Sequence, residues 1–452
     1  MAIKKELIIN NNKNNTIFNF LYKDIFTFPW YVQVIIIFNI LFIITWFWLN
    51  AASSGIKNAG LDFATPFFAT KAWLHGANPY DDFYIAKLWQ KETGKALTTL
   101  IDTGRLSLYP ITTFPILFPF TFFNFNQAKI LWFSINFLCL IYQIYIFIKL
   151  ANLKYTQLGA IIIASLALLF IPNKIGFIQA NIGFFTVSCV IFSLWAYFNN
   201  NDIFSGIFIA ISCAIKPHVG IPFLLLFIIN KKWKVLAVFI ISLSVALFVS
   251  LYIIGLDHCI TYLTSFENNI IFSMSKGEIN DPSLNNPFNF HLINLQHPLW
   301  AIFNDKLITN FTTFLIVGVE LIIFISLVKR YKIKKIDLIQ ISTLSSIILL
   351  PIYHRIYDAS ILFVNVPLAM ILSCTKYKIY GLILLTILLP FILINSANFI
   401  HFIAIYGYVS NQLSQSLIWK AFLQPHQSWL IFSLSVISLC LMKNLYKDNY
   451  SL

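Results

Sequence analysis

The sequence predicts an all-α polytopic membrane protein, and three observations lead to that prediction. Of the 452 residues, 59% are apolar and only 11% are charged, whereas soluble domains average roughly 45–50% apolar and about 25% charged residues. Apolar runs long enough to cross about 30 Å of hydrocarbon as helices recur along the chain. The excess of basic residues, a formal net charge of +14, gathers in short clusters between those runs. This composition excludes a soluble globular enzyme, a disordered protein and a nucleic-acid binder.

The apolar runs set the predicted number of spans. A spanning helix needs about 20 predominantly apolar residues. Nine runs predict single spans, and three further segments, which are shorter or divided, raise the expected total to about 10–12 helices. The nine runs are 31–51, 128–150, 182–198, 235–255, 307–328, 337–352, 359–375, 379–396 and 428–442, and the three further segments are 111–126, 158–172 and 203–229.

A single membrane domain with long external loops is the expected organisation. Residues 1–30 lack a small-residue cleavage site after a short apolar core, so no removed signal peptide is expected. The predicted parts are a cytoplasmic tail 1–30, a membrane domain 31–447 with external loops 52–127, 256–306 and 397–427, and a cytoplasmic tail 448–452.

Basic clusters orient the chain, because cytoplasmic loops carry an excess of lysine and arginine. The strongest cluster lies within 329–335 and is predicted to be cytoplasmic. Counting spans outward from it places both termini inside and the loops 52–127 and 256–306 outside. Six cysteines show no CxxC or paired spacing, and eight histidines show no HxxxH or HExxH spacing. Neither a disulfide framework nor a metal site is therefore expected.

The divided segment 203–229 is predicted to enter the membrane and return on the same side. Lysines at 231–234 fall inside, as does the polar turn before residue 203, and the midpoint is Lys216-Pro217-His218. Proline breaks a helix, and broken backbone at membrane depth is tolerated only where it lines protein or a water-filled cavity. If 111–126 and 203–229 are instead two full spans, the number of membrane crossings rises by two and every other loop keeps its side, except the segment between them. Both topologies therefore stay open.

Polar residues that composition does not explain fall on the predicted outer face, beginning with Asp62. The segment Phe63–His75 carries a helix-like apolar face suited to the membrane interface, and a Gly/Asn/Pro turn containing Asn78 and Tyr80 follows. Asp62 can be the N-cap of this helix. The alternative is a general base that activates a hydroxyl.

Later in the chain, three further residues admit a structural or a ligand-binding role. Tyr109, before Pro110, is either an interfacial aromatic anchor or part of a site. Gln179 and Asn181 lie where two predicted spans join outside, and each can cap the helix near 182 or contact a ligand.

Ionisable residues near membrane depth are the next candidates. A lysine such as Lys216 costs roughly 2.5–3.5 kcal/mol on insertion scales and usually faces a cavity. Snorkelling to the surface is the alternative, and a cation here suits an anionic phosphate. Arg355 and Asp358 can form an ion pair at i, i+3. His354 follows the interruption at Pro351, which favours a functional role.

The order of these motifs resembles glycosyltransferase family 87. The resemblance extends from about residue 30 to residue 400, and it departs from the family at Ile111, where a second proline usually follows Tyr-Pro. The motifs are Asp62-Phe63, the turn His75-Gly76-Ala77-Asn78-Pro79-Tyr80-Asp81, Tyr109-Pro110, Gln179-x-Asn181, Lys216-Pro217 and His354-Arg355-Ile356-Tyr357-Asp358.

The resemblance implies a GT-C fold and a membrane-embedded glycosyltransferase. It implies an external site, a polyprenyl-phosphate-linked sugar as donor, for instance a mannose, and a glycan or glycolipid acceptor. Asp62 maps onto the catalytic base and His354 onto a residue that assists near the donor phosphate. Inversion at the transferred carbon, no metal cofactor, no nucleic-acid partner and a bacterial plasma membrane are the further expectations. The expected substrate- and phosphate-binding residues are Lys216, Arg355, Asp358, Gln179, Asn181, Asn78, Tyr80 and Tyr109.

Two other classes of protein fit part of the pattern. Transporters and flippases of lipid-linked saccharides also use broken helices and intramembrane cations. They place polar groups near the middle of the bilayer with repeat symmetry, whereas here the groups collect on one face and no internal repeat is visible. A non-catalytic membrane partner is the third class.

Overall fold

The computed structural model describes residues 19–54, 61–94, 107–333, 335–392 and 395–448. It is 79% helical, and no β-strand occurs within those ranges. The prediction of an all-α polytopic membrane protein is confirmed. Most of the predicted tail 1–30 and nearly all of the tail 448–452 lie outside the described residues, and the predicted domain boundaries stay predictions.

Six helices of the described chain are long and apolar enough to cross a membrane, and all six coincide with predicted spans. Two bent helix pairs raise this number to eight if each pair is one span. The six are Trp30–Ala51, Phe125–Leu150, Trp233–Ile254, Lys306–Arg330, Ile356–Ser373 and His426–Lys447; the pairs are Leu158–Leu169 with Ile171–Gln179, bent by 47°, and Lys378–Ile392 with Ser396–Ile405, bent by 53°.

Among the residues that the structure describes, five apolar helices are shorter than a span. With 10–17 residues each, they extend about 15–26 Å at 1.5 Å per residue. The predicted span 337–352 exceeds its helix, which ends at Ile347, because Pro351 disfavours helical backbone just before it. A total of 10–12 spans requires these helices to cross as well, and it stays a prediction. The five are Ile111–Phe122, Ile182–Phe198, Asp202–Ile215, Pro217–Ile229 and Leu338–Ile347.

The chain forms two compact units. The terminal unit comprises the described residues within 1–50, 140–174 and 293–452, and the central unit comprises those within 51–139 and 175–292.

The core of the central unit is an aromatic cluster on the helix Leu61–Leu74. Phe63 stacks on Trp132, with ring centroids 5.0 Å apart and planes within 9° of parallel, and it also contacts Phe120 and Phe125. Each such pair contributes about 0.5–1.5 kcal/mol beyond its buried area. The sequence pattern predicts one buried face for this helix, but residues 63–70 are all buried. The helix is therefore an internal element, because aromatic partners distant in sequence cover it on more than one side.

A half-buried carboxylate joins this helix to two others. Glu92 Oε2 lies 2.6 Å from Lys71 Nζ, and Glu92 Oε1 accepts a hydrogen bond from the backbone N–H of Phe125. The second contact satisfies a donor at the start of Phe125–Leu150, where helical N–H groups have no partner within the helix.

The segment around Lys216 is a sharp helical hairpin, as the proline predicts. Asp202–Ile215 ends at Lys216, and Pro217–Ile229 begins directly afterwards. A Cβ atom placed on Gly220 would lie 2.8 Å from the backbone nitrogen of Cys213, whereas a straight helix separates residues seven apart by about 10 Å. The two half-helices therefore fold back on each other, and only glycine fits at their closest approach.

The terminal unit is held together by polar side chains between its helices. Glu320 Oε1 accepts a 2.6 Å hydrogen bond from Ser435 Oγ. Tyr446 donates to Asp337 at 3.1 Å. Such hydrogen bonds fix the register of neighbouring helices where apolar surfaces alone do not specify it.

Candidate active site

Asp62 lies in the first turn of the helix Leu61–Leu74 and is half-buried. Leu61 already belongs to the helix, so Asp62 does not occupy the capping position that the sequence left open. A carboxylate in the first turn is nevertheless favoured by the positive end of the helix dipole. The neighbouring Phe63 anchors this turn in the aromatic cluster.

The side chain of Asp62 is held by Asn181. Asn181 Nδ2 donates to Asp62 Oδ2 at 2.6 Å, while Asn181 Oδ1 accepts from the backbone N–H of Gly183 at 2.6 Å. Because the backbone N–H can only donate, it fixes the amide with its oxygen toward Gly183 and its NH₂ group toward Asp62. Asn181 therefore orients the carboxylate with a neutral donor, which does not bring a positive charge to it.

The loop before Asn181 positions this amide. The backbone N–H groups of Ala180 and Asn181 donate to the carbonyls of Phe177 and Gly176, the pattern of a Schellman motif at a helix end. Ala180 adopts a φ of 52°, a left-handed conformation that glycine usually provides. Trp132 Nε1 donates to the carbonyl of Ala180 at 3.1 Å. The aromatic cluster thus supports both Asp62 and its partner.

Tyr80, Tyr109 and Asn78 form a second network in the central unit. The Tyr80 hydroxyl donates to the carbonyl of Tyr109 at 3.0 Å. Asn78 accepts from the backbone N–H of Tyr80 and donates to Ser265 at 2.9 Å. These contacts tie the turn at 76–81 to the end of the loop at Tyr109-Pro110. They give all three residues a structural role, and their ligand-binding role stays a prediction.

The break at Lys216 is linked to the same loop end. Thr112 and Thr113 donate to the carbonyl of Ala214 at 2.7 and 3.1 Å, and they belong to the short helix that begins at Ile111. Lys216 is 8% exposed, which favours a position inside the protein over snorkelling along its surface.

In the terminal unit, His354 and Asp358 form a buried pair. His354 Nδ1 lies 3.3 Å from Asp358 Oδ2, and the side chains are 0% and 3% exposed. The His354 carbonyl accepts from the N–H of Ile293 at 3.0 Å, which anchors its backbone. A carboxylate at Nδ1 orients the imidazole and selects its tautomer. Arg355 is half-buried and precedes the 3₁₀ helix Ile356–Val364.

The structure thus places some of the predicted residues in contact, and it shows supporting residues that the sequence did not predict. It pairs Asp62 with Asn181, and it leaves Gln179 half-buried at the end of its helix. Trp132 and Glu92 support the site but were not predicted. Trp132 lies in an apolar run, where no local pattern separates it from other span residues. Glu92 follows Lys87 and Lys91 in a charged stretch that resembles an ordinary solvated face.

The architecture defines an α-helical membrane protein whose central unit holds an oriented, half-buried carboxylate. A family model described as glycosyltransferase family 87 matches residues 108–345, more than half of the chain, and the chain belongs to that family. It is therefore a membrane glycosyltransferase, acting between a glycosyl donor and an acceptor. The matched range includes Tyr109, Asn181 and Lys216, while Asp62 and His354 lie outside it. Searches of curated proteins and of solved structures gave no match.

Proposed function

We propose that this glycosyltransferase moves a sugar from a polyprenyl-phosphate-linked donor to an acceptor hydroxyl at the external face of the bacterial plasma membrane. The donor class and the sidedness follow from the resemblance of the motifs and from the basic clusters. A glycan or glycolipid is the proposed acceptor, and both termini are proposed to lie in the cytoplasm.

In the proposed reaction Asp62 is the general base. Asp62 takes the proton of the acceptor hydroxyl, and the hydroxyl oxygen attacks the anomeric carbon of the sugar. The bond from that carbon to the lipid-phosphate oxygen breaks, and its electron pair leaves with the phosphate. One displacement of this kind inverts the configuration at the anomeric carbon.

The contact between Asp62 and Asn181 is the single observation that supports this assignment most. A base must be held in one orientation within hydrogen-bond reach of its proton donor. Asn181 provides that orientation, because its own amide is fixed by the backbone N–H of Gly183.

Lys216 is proposed to stabilise the departing phosphate, because fixed positive charge near a developing anion lowers the barrier. No metal cofactor takes part in the proposed reaction. His354, oriented by Asp358, is proposed to assist near the donor phosphate, a role that rests on the resemblance.

The test is incubation of the purified protein with a panel of labelled polyprenyl-phosphate sugars, with and without a membrane acceptor extract. We expect loss of lipid-linked label with at least one donor, the opposite anomeric configuration in the product, and no effect of EDTA. A chain that moves intact labelled lipid across proteoliposomes, with no cleavage of any donor, would be a flippase, and the proposal would be wrong.

A further inference from the structure

An aliphatic groove lies in the terminal unit between the helices Trp30–Ala51 and Leu158–Leu169. Its volume is about 180 Å³. Ile43 belongs to one wall, while Ala160 and Ala164 belong to the other. These alanines are four residues apart on one helix face, and their small side chains leave the space open. The lining from residue 160 to residue 168 extends about 12 Å along the helix axis.

A cation lies beyond one end of this groove. Lys174 Nζ lies 3.9 Å from the centroid of the Trp46 ring. Trp46 is three residues beyond Ile43, which is nearly one helical turn on the same side of the helix and about 4.5 Å along its axis. The aliphatic wall therefore leads to a positive charge that a tryptophan face supports.

A break in the neighbouring helix brings Lys174 to this position. The chain bends by 47° between Leu158–Leu169 and Ile171–Gln179, where Pro172 lacks a backbone donor. Asn173 Nδ2 donates to the carbonyl of Ala167 at 2.9 Å and so satisfies an acceptor that the break frees. Irregular backbone at membrane depth is tolerated where it is buried in protein or lines a cavity, and here it turns Lys174 toward the first span.

We propose that this groove and Lys174 bind the polyprenyl phosphate part of the donor, with the isoprenoid tail along the isoleucine and alanine walls and the phosphate against Lys174. The inference rests on the proposed function, which supplies a ligand with one long apolar chain and one anionic group. The apolar groove matches the isoprenoid chain, and Lys174 matches the phosphate. The two follow each other along the site as they do along the lipid. Lys174 contributes to binding of the carrier lipid.

The experiment measures binding of three probes to the full chain in nanodiscs: polyprenyl phosphate, the uncharged polyprenol and inorganic phosphate. We expect polyprenyl phosphate to bind at least tenfold more tightly than polyprenol, and inorganic phosphate at equal concentration not to bind. Lys174→Met should abolish the preference for the phosphorylated lipid. Ile43→Trp should weaken both lipids at least tenfold, because it fills the groove. A diazirine on the isoprenoid tail should crosslink within residues 158–169.

Leu41→Trp is the matched control, since Leu41 is 58% exposed and points roughly 160° away from Ile43 around the same helix. It should bind both lipids like the wild type. Wild-type binding by Ile43→Trp, or crosslinks confined to other helices, would overturn the site. If the groove variants behave as expected but no polyprenyl-phosphate sugar is cleaved, the site stands and the proposed function fails. If sugar is transferred while Ile43→Trp keeps the wild-type KM, the function stands and the site fails.

Discussion

The contact between Asn181 and Asp62 makes the base sensitive to a single exchange of an amide for a carboxylate. Asn181 caps the helix Ile182–Phe198, and Asn181→Asp retains this cap, because aspartate and asparagine cap helices about equally well. An ionised aspartate has no N–H to donate to Asp62, so the exchange replaces the hydrogen bond of 2.6 Å with two carboxylates that repel each other. The variant therefore loses the contact that orients the base.

For this variant we predict that turnover falls at least about tenfold, because the base is no longer held in one orientation. Initial rates of donor cleavage measure the effect. Asn181→Ser, which also caps the helix but carries no charge, is the control and should lose less turnover than Asn181→Asp. Wild-type turnover from Asn181→Asp would show that this contact does not position the base.

At the scale of the element, the hairpin at Lys216 shows what the sequence specifies locally. Pro217 lacks a backbone donor and disfavours helical backbone at Lys216, so the break was predictable. The close approach of Gly220 to Cys213 was not, since it depends on how the two half-helices pack. The burial of the Asp62 helix was unpredictable for the same reason, because Trp132 lies about 70 residues further along the chain.

We predict that Gly220→Ala destabilises the protein by about 1–3 kcal/mol, the usual cost of overpacking, because the new Cβ meets backbone at 2.8 Å. Gly318→Ala, in the helix Lys306–Arg330, is the matched control. A Cβ there meets nothing within 4 Å, and alanine favours a helix by up to about 1 kcal/mol over glycine. Thermal unfolding in detergent should give a lower midpoint for the first variant and an equal or higher midpoint for the second. Equal midpoints for both variants would mean that the hairpin is not closely packed.

At the scale of the whole molecule, composition and apolar run length predicted the fold class and located all six helices in the described residues that are long enough to span. They did not give the helix length at 337–352, where the helix ends at Ile347, or the division into two units, because these depend on contacts between distant segments. Asn181, Asp62 and Lys216 were selected by residue type and position. Their supports, Trp132 and Thr112, carry no distinguishing sequence signal.

The orientation from basic clusters can be tested on the intact chain. In a cysteine-free background, Lys276→Cys in the second external loop should react with a membrane-impermeant maleimide in intact cells. Lys335→Cys should react only after permeabilisation, because the 329–335 cluster is predicted to be cytoplasmic. Both side chains are exposed, so the reaction of each cysteine with the maleimide should depend only on the side of the membrane on which it lies. The reverse labelling pattern would invert the topology and move the proposed site to the cytoplasmic face.

One substitution addresses proton removal in the chemical step itself: Asp62→Asn in purified protein supplied with a donor that the wild type cleaves. Asparagine preserves the size of the side chain but accepts no proton, so we expect turnover to fall at least 10²-fold, while donor binding and the unfolding midpoint stay close to wild type. Asp257→Asn, an exposed first-turn aspartate of the helix Leu256–Ser273, should retain full turnover. Wild-type rates from Asp62→Asn would contradict the assignment of this carboxylate as the base.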